Sequence, residues 1–446
     1  MMRSCCLALV FFLVACSHTT TPPATSPAKP TPAPAPAPAK IKAAPRALEA
    51  STPPELELVE SWPSETTWDQ ADIRDATTVW PEMIGRAKRT LEVAQFYFAH
   101  EPGKSMEPIL KALLAAGARG VKVRVLVEKK FLDQSEPALE LLRDKPGLEI
   151  AVFDLSSLTG GILHAKYFIV DGQEVFVGSQ NMDWRALSHI HEMGVRVRDA
   201  EVAATLGRLF EADWAWAARG EDSYKHLPHD RDSDRDGLPD ARDPRPNKPT
   251  WAVRAAGDVR QLFLVSSPPR LNPPGIPGAA DHLVILLDRA KESVVVQLLD
   301  YATRTYHKTN WTVIDDALRR AAARGVKVRL NISHWAKSYP KIQALQSLVR
   351  VPGVEIKLNT IPEHSSGFIP YARVDHCKYM VVDGKVGWVG TSNWSGDYFT
   401  ASRNVEVIFR APEQVKRLAK VFETGWSGPY VEVLDPNKKY EHPRKK

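Results

Sequence analysis

The chain is 446 residues long, 43% hydrophobic and 25% charged, the composition of an ordinary folded protein with material for two lobes or one large domain. Its 59 Lys+Arg against 53 Asp+Glu give a formal charge of +6, a mildly basic balance that suits a polyanionic partner such as nucleic acid or an anionic headgroup. The cysteines exclude more. Cys5, Cys6 and Cys16 crowd the N-terminus, so the one remaining thiol, Cys377, leaves no disulfide framework to hold the fold.

Arg3 precedes an apolar stretch from Cys5 to Ala15, too short to span a bilayer as a mature helix and shaped like the hydrophobic region of a secretory signal. Its end, Leu13-Val14-Ala15-Cys16 followed by Ser17, resembles the bacterial lipobox. That resemblance implies a signal peptide over residues 1–15 and a diacylglyceryl group on Cys16. The mature protein is then expected to be exported and lipid-anchored to a bacterial membrane, at the outer membrane and periplasm or at the cell surface. Residues 16–55 are a Pro/Ala-rich linker (Pro30-Thr31-Pro32-Ala33-Pro34-Ala35-Pro36-Ala37-Pro38). Such a segment favours extended polyproline II, builds no core and acts as a spacer.

The rest of the chain repeats itself. Leu56 to Val59 and Leu262 to Val265 are matching strand-like openings, and Arg119-Gly120-Val121-Lys122-Val123-Arg124 recurs as Arg324-Gly325-Val326-Lys327-Val328-Arg329. Further on, His164 recurs as His376, Gly178 as Gly390, Phe210-Glu211 as Phe422-Glu423 and Trp214 as Trp426, each 212 residues later (376 − 164). A constant offset over scattered residues means a tandem duplication, with halves at 56–220 and 258–432. Each half reads as alternating strands and helices, then a hairpin-like stretch and a closing helix. Tyr167-Phe168-Ile169-Val170 and Tyr379-Met380-Val381-Val382 carry no polar alternation, as strands buried on both faces do. The expected class is α/β, a sandwich in each half.

Between the halves, residues 221–257 form an insertion in which Asp232, Asp234, Asp236, Asp240 and Asp243 occupy loop positions 1, 3, 5, 9 and 12. Gly237 stands at position 6 and the carbonyl of Leu238 at position 7, the ligand logic of an EF-hand calcium loop. With Asp at position 12 and no flanking helices it resembles a thrombospondin type 3 repeat, which implies a structural Ca2+ and not a catalytic one. Residues 433–446 are a basic tail whose run from Lys438 to Lys446 carries much of the excess charge and reads as solvated.

The chemistry-bearing residues come in two sets. His164-Ala165-Lys166, four apolar residues and Asp171 precede Gly178-Ser179-Gln180-Asn181 and Glu192; His376-Cys377-Lys378, four apolar residues and Asp383 precede Gly390-Thr391-Ser392-Asn393 and Glu406. On a strand, the His and Lys of each set share a face while Ala165 and Cys377 turn into packing. The two sets resemble the HKD motifs of the phospholipase D superfamily, over about residues 56 to 432. The resemblance implies a tandemly duplicated phospholipase D fold, two mixed β-sheets flanked by helices, with the active site at the pseudo-twofold interface. Asn181-Met182-Asp183-Trp184-Arg185, Ile369-Pro370-Tyr371-Ala372-Arg373-Val374 and Gly390-Thr391-Ser392-Asn393-Trp394-Ser395-Gly396 look like its animal lysosomal and transmembrane branch. Members of that branch are 5′-exonucleases on single-stranded DNA and RNA, also linked to transphosphatidylation. The chain departs from them in its lipobox, its missing cysteines and its calcium-type insertion.

Residue type then assigns roles. A phosphodiester repels nucleophiles, so Lys166 and Lys378 are expected to neutralise its non-bridging oxygens while Asn181 and Asn393, beside Ser179 and Thr391, donate hydrogen bonds to them. One imidazole attacks phosphorus, giving a phosphohistidine, and the other protonates the leaving oxygen before activating water. Superfamily habit makes His164 the nucleophile and His376 the acid. Glu192 and Glu406 are expected to orient the imidazoles from behind, Asp171 and Asp383 to brace the motifs. No cofactor is required for catalysis. Trp184, Tyr371, Trp394, Tyr398 and Phe399 are candidates either for stacking on bases or for packing. The substrate reads as single-stranded nucleic acid, with phospholipid as the alternative and the membrane as the site of attachment.

Overall fold

The computed structural model describes residues 55–219 and 262–445. The lipobox at Cys16, the proline-rich linker and the Asp232–Asp243 loop lie outside the described residues. In the first half the strands are β1 (Glu55–Ser61), β2 (Arg74–Asp75), β3 (Thr90–Gln95), β4 (Phe98–Ala99), β5 (Lys122–Glu128), β6 (Leu148–Phe153), β7 (Tyr167–Val170), β8 (Glu174–Gly178), β9 (Met182–Asp183) and β10 (Glu192–Arg198). The second half has β11 (Leu262–Ser267), β12 (Ser293–Leu298), β13 (Lys327–Ser333), β14 (Val354–Asn359), β15 (Lys378–Val382), β16 (Val386–Gly390), β17 (Asn404–Phe409) and β18 (Val431–Val433).

The main sheets run β2-β1-β10-β8-β7-β3-β5-β6 and β11-β17-β16-β15-β12-β13-β14-β18. Both are mixed: β3, β5 and β6 are parallel, as are β12, β13 and β14, and the hairpins β7–β8 and β15–β16 join antiparallel. The duplicated α/β architecture expected from the repeats is present in full.

The apolar strand runs explain how the sheets meet. Side chains alternate across a strand, so Tyr167 and Ile169 enter the same core as Tyr379 and Val381. Their neighbours Phe168 and Val170 face the first half's outer layer, and Met380 and Val382 that of the second. The two sheets therefore pack back to back, and each is roofed outside by three helices: Ala76–Arg86, Glu107–Ala118 and Leu132–Leu142 on the first, Ala279–Arg289, Val313–Ala323 and Lys341–Leu348 on the second. The closing helices Ala200–Arg219 and Pro412–Ser427 lie along the shared core. Each large apolar side chain buried there contributes about 1.5–3 kcal/mol, which is how the fold dispenses with disulfides.

The basic C-terminal run departs from the sequence reading. Its backbone is docked on the second half, while Lys438, Lys439 and Arg444 keep exposed side chains. Leu434 is buried, Gln346 Nε2 donates to the carbonyls of Asp435 (3.2 Å) and Lys438 (2.8 Å), and Tyr371 N donates to the carbonyl of Lys445 (2.9 Å). Backbone groups that lacked a secondary structure of their own find partners on the surface they cross.

Candidate active site

The first His-x-Lys triplet lies just ahead of β7, which begins at Tyr167, and the second runs into β15, whose first residue is Lys378. The backbone there is engaged by the opposite half. His164 N donates to Arg403 O and Arg403 N to Ile162 O, both at 2.9 Å; His376 N donates to His191 O at 2.8 Å and His191 N to Val374 O at 3.0 Å. Two short parallel bridges, Leu163 with Arg403 and His191 with Asp375, thereby join the halves at the two motifs.

In consequence each imidazole is held by a side chain from the other half. His376 Nδ1 lies 2.9 and 2.8 Å from the two carboxylate oxygens of Glu192. His164 Nδ1 lies 3.0 Å from the carboxamide oxygen of Asn404. Behind them, Ser179 Oγ accepts from Met193 N at 3.0 Å, while Thr391 Oγ1 donates to Asn404 Oδ1 at 2.9 Å. Glu192 opens β10 and Asn404 opens β17, the strands that start against the opposite motif.

The expectation for Glu406 is corrected. Its carboxylate accepts from Trp388 Nε1 at 2.7 Å in the core and sits opposite Gly390 in register, one alternation beyond Asn404. It does not hold His164. The repeat itself contained the signal: Asn404 lies 212 residues after Glu192, whereas the counterpart of Glu406 is Gly194, which faces Gly178. A carboxylate was expected by residue type where the register supplies an amide.

Asp171 and Asp383 stand at the far ends of β7 and β15 and brace, as expected. Asp171 accepts from the backbone N–H groups of Lys88, Arg89 and Thr90, and Asp383 from those of Lys291, Glu292 and Ser293, with nearest distances of 2.7–3.0 Å. Both adopt left-handed φ, 54° and 52°, in turns completed by Gly172 and Gly384, a conformation that Asp tolerates better than most residues. Burial opposes ionisation, but the backbone donors prevail and both carboxyls sit below their usual pKa.

Lys166 Nζ lies 2.5 Å from His164 O and Lys378 Nζ 2.6 Å from His376 O. Both lysines are fully buried. Burial and then the neighbouring cation hold Lys166 well below its usual pKa; burial, partly offset by Glu192, takes Lys378 to about 8. Burial, reinforced by the two lysines, depresses both imidazoles strongly, and burial pushes the Glu192 carboxyl up against the opposing pull of Lys378. Two repelling lysines beside two imidazoles are arranged to receive one anion, whose charge favours the protonated forms of all four groups. Asn181 and Asn393 are buried, and their carboxamide oxygens have no hydrogen-bond partner among the described residues.

One wall of the site is aromatic. The rings of Phe96 and Tyr398 lie 5.0 and 4.8 Å from that of His164, Phe131 packs on Phe96 at 4.3 Å, and Lys166 Nζ stands 4.9 Å over Phe96. Tyr398 was among the candidates; Phe96, Phe131 and Asn404 were not. Trp394 packs in the core against Trp388 at 5.9 Å and Phe399 stacks on Trp311 at 5.3 Å, so these two serve packing. Trp184 lies under Lys104 at 5.2 Å. Cys377 is a packed, inward-facing thiol that burial holds in its neutral form.

Both halves match the family described as "Cardiolipin synthase, PLD-like domain", over residues 81–214 and 283–426. The chain is 32% identical to the 5′-3′ exonuclease PLD3 of Bos taurus over 411 residues, spanning 86% of this chain and 81% of that protein. It is 30% identical over 381 residues to a probable phospholipase D of Caenorhabditis elegans, F09G2.8, spanning 80% of this chain and 66% of that one. Among solved structures, the phosphatidylserine synthase of Haemophilus influenzae Rd KW20 shares the fold with a TM-score of 0.53 at 13% identity, over 82% of this chain and 85% of that chain.

Proposed function

The chain belongs to the phospholipase D-like family of phosphodiesterases, and from that premise we propose that it is a 5′-exonuclease on single-stranded DNA or RNA acting through a phosphohistidine. The unequal partners of the two rings support His164 as nucleophile and His376 as acid. Asn404 gives His164 a neutral acceptor, fixing the proton on Nδ1 and leaving the Nε2 lone pair for attack on phosphorus. Glu192 gives His376 a carboxylate, which stabilises the protonated ring that an acid needs. As His164 Nε2 bonds to phosphorus, the bond to the leaving 5′ oxygen breaks and that oxygen takes the His376 proton. Neutral His376 then accepts a proton from water, whose oxygen displaces His164 and frees a 3′-mononucleotide. Lys166, Lys378, Asn181 and Asn393 hold the non-bridging oxygens throughout.

The observation that carries the nucleolytic reading is the aromatic wall of Phe96, Phe131 and Tyr398 at the nucleophile, suited to a terminal nucleoside. The similarity to a 5′-3′ exonuclease over most of both chains supports it. End-labelled oligonucleotides with 5′-hydroxyl or 5′-phosphate ends, a circular single strand and phosphatidylcholine, assayed side by side, test it. Release of 3′-mononucleotides from 5′-hydroxyl single strands is expected. Equal cleavage of circular strands means endonuclease action. Choline release without nucleolysis establishes the second reading, a phospholipase D or transphosphatidylase, which the similarity to the Caenorhabditis elegans protein favours.

We further propose, on the sequence motifs alone, a lipid anchor at Cys16 in an exported bacterial protein and a structural Ca2+ held by Asp232, Asp234, Asp236, Leu238, Asp240 and Asp243. Cys16→Ala should move the protein out of the membrane fraction. Calcium should raise the melting temperature by linkage, and chelation should spare the initial rate of protein that stays folded.

A further inference from the structure

In-line displacement fixes where the departing strand lies: opposite the attacking His164, on the side of the proton donor His376 and therefore against the second half. That side is not a copy of the aromatic wall. Where Phe96 and Tyr97 follow β3, Leu299 and Asp300 follow β12. Asp300 sits beside the second motif, its carbonyl accepting from Trp394 N at 3.2 Å. Its carboxylate bears on Lys378 and is ion-paired with Lys341.

Beyond Leu299 comes Trp335, packed on a small cluster of Leu299, Ala372, Val374 and Ile190. The C-terminal segment reaches this surface at Arg444 and Lys445. Lys445 Nζ stands 4.8 Å over the Trp335 ring, Arg444 stands 3.7 Å over the Phe368 ring, and Tyr371 meets Trp335 edge-on at 6.5 Å. The Lys445 carbonyl satisfies Tyr371 N at 2.9 Å, where Tyr371 holds a left-handed φ of 59°, so the segment is docked at a defined place. Lys445 is partly buried and forms no ion pair among the described residues. Burial and the nearby Lys341 lower its pKa, with Asp300 opposing. An anion seated between these two lysines removes that repulsion.

Cations interleaved with aromatic rings, here the exposed Tyr371 and the half-buried Trp335, are what a single strand requires, phosphate by phosphate and base by base. We propose that Arg444 and Lys445, with Lys341, Trp335 and Tyr371, form a second subsite that grips the leaving single strand beyond the scissile bond. The proposal rests on the nucleolytic reading and deepens it: the enzyme discriminates substrates by length as well as by their 5′ end.

The test uses the full-length protein, the dinucleotide dTpdT, which has only the scissile phosphate, and a 5′-hydroxyl (dT)20. For Arg444→Gln/Lys445→Gln, the ratio of kcat/KM on (dT)20 to that on dTpdT should fall about tenfold, with the loss in KM. The dependence of log affinity for (dT)20 on log salt should become shallower by about 1.4, for two lost contacts on a single strand. Lys445→Arg should keep the wild-type ratio. Equal losses on both substrates would reduce the segment to structural support and overturn the subsite, as would no loss on either. If the wild type cleaves dTpdT but shows no preference for (dT)20, the subsite alone fails. Should it cleave neither, the nucleolytic reading fails and takes the subsite with it.

Discussion

Replacing Glu192 by Gln separates the two histidines by role. Glu192 contacts His376 Nδ1 at 2.8 Å from a fully buried position, and Gln preserves shape while removing the charge. Opposite unit charges about 4 Å apart at an effective dielectric constant of 20 attract by about 4 kcal/mol. The Gln dipole retains part of that, leaving roughly 3 kcal/mol of lost imidazolium stabilisation, about 10²-fold in rate. If the carboxamide also turns its N–H₂ toward Nδ1, the wrong tautomer is fixed and the loss approaches about 10⁴-fold. The assay compares an oligonucleotide with thymidine 3′-(p-nitrophenyl phosphate), whose leaving group departs as a stable anion and needs no proton. On the oligonucleotide, Glu192→Gln should be slow from the first turnover. On the nitrophenyl ester it should release one equivalent of nitrophenolate per enzyme in a rapid burst, then stall, because His376 is still needed to activate water. Denaturation in alkali during the stall, where the P–N bond survives, should trap a thymidine 3′-phosphoryl group on His164. A burst slowed as severely as oligonucleotide cleavage would refute the assignment of His376 as the acid.

Three further outcomes follow from particular contacts. His164→Ala and His376→Ala should each lower turnover by at least about 10²–10⁴-fold while circular dichroism and melting stay native; more than about 1% residual activity in the double variant would remove the two-histidine mechanism. Burial raises Glu406 from 4.5 to about 7, so between those values the folded state keeps a proton that the unfolded state releases, and this group's contribution to stability falls as pH rises through that window. Glu406→Gln, which preserves an acceptor for Trp388, should remove that fall and gain up to about 3 kcal/mol over the wild type at pH 8 but nothing at pH 4; parallel pH profiles in urea unfolding would contradict it. Asp171→Ala strands three backbone donors and puts Ala in a left-handed turn, and should cost roughly 3 kcal/mol in urea unfolding; Asp383→Ala should behave alike, and a cost below about 1 kcal/mol would show that the amides find other partners.

The duplication, both sheets and the meeting of the two His-x-Lys motifs were legible because they obey local rules: apolar runs, His-x-Lys spacing and a fixed offset. Glu192 was legible as an orienter, but its ring was not. That pairing is tertiary, created where β10 and β17 begin against the opposite motif. Asn404 was hidden by chemistry, since an amide draws less notice than the carboxylate two residues on, although the register pointed to it. Phe96 reaches His164 from the loop after β3, and Phe131 reaches Phe96 from the 3₁₀ turn after β5, with no shared spacing to announce them. The C-terminal run misled because charge is a poor guide to whether a backbone can dock: Gln346 and Tyr371 receive it through hydrogen bonds that no charge pattern encodes.

The reciprocal hold of each half on the other's imidazole bears on what a fused chain can do that a pair of identical subunits cannot. In a symmetric dimer of one half, both rings would face the same partner residue, and either could attack or protonate. A substrate could then bind in two opposite orientations with equal productivity. Covalent fusion frees positions 192 and 404 to differ, and here they do, as acid and amide. The symmetry of the site is broken at two atoms behind the rings, out of the substrate's reach. Polarity along the strand, the property that distinguishes one end of a nucleic acid from the other, would thus rest on the unlike walls that the substrate meets and also on an inequality that it never touches.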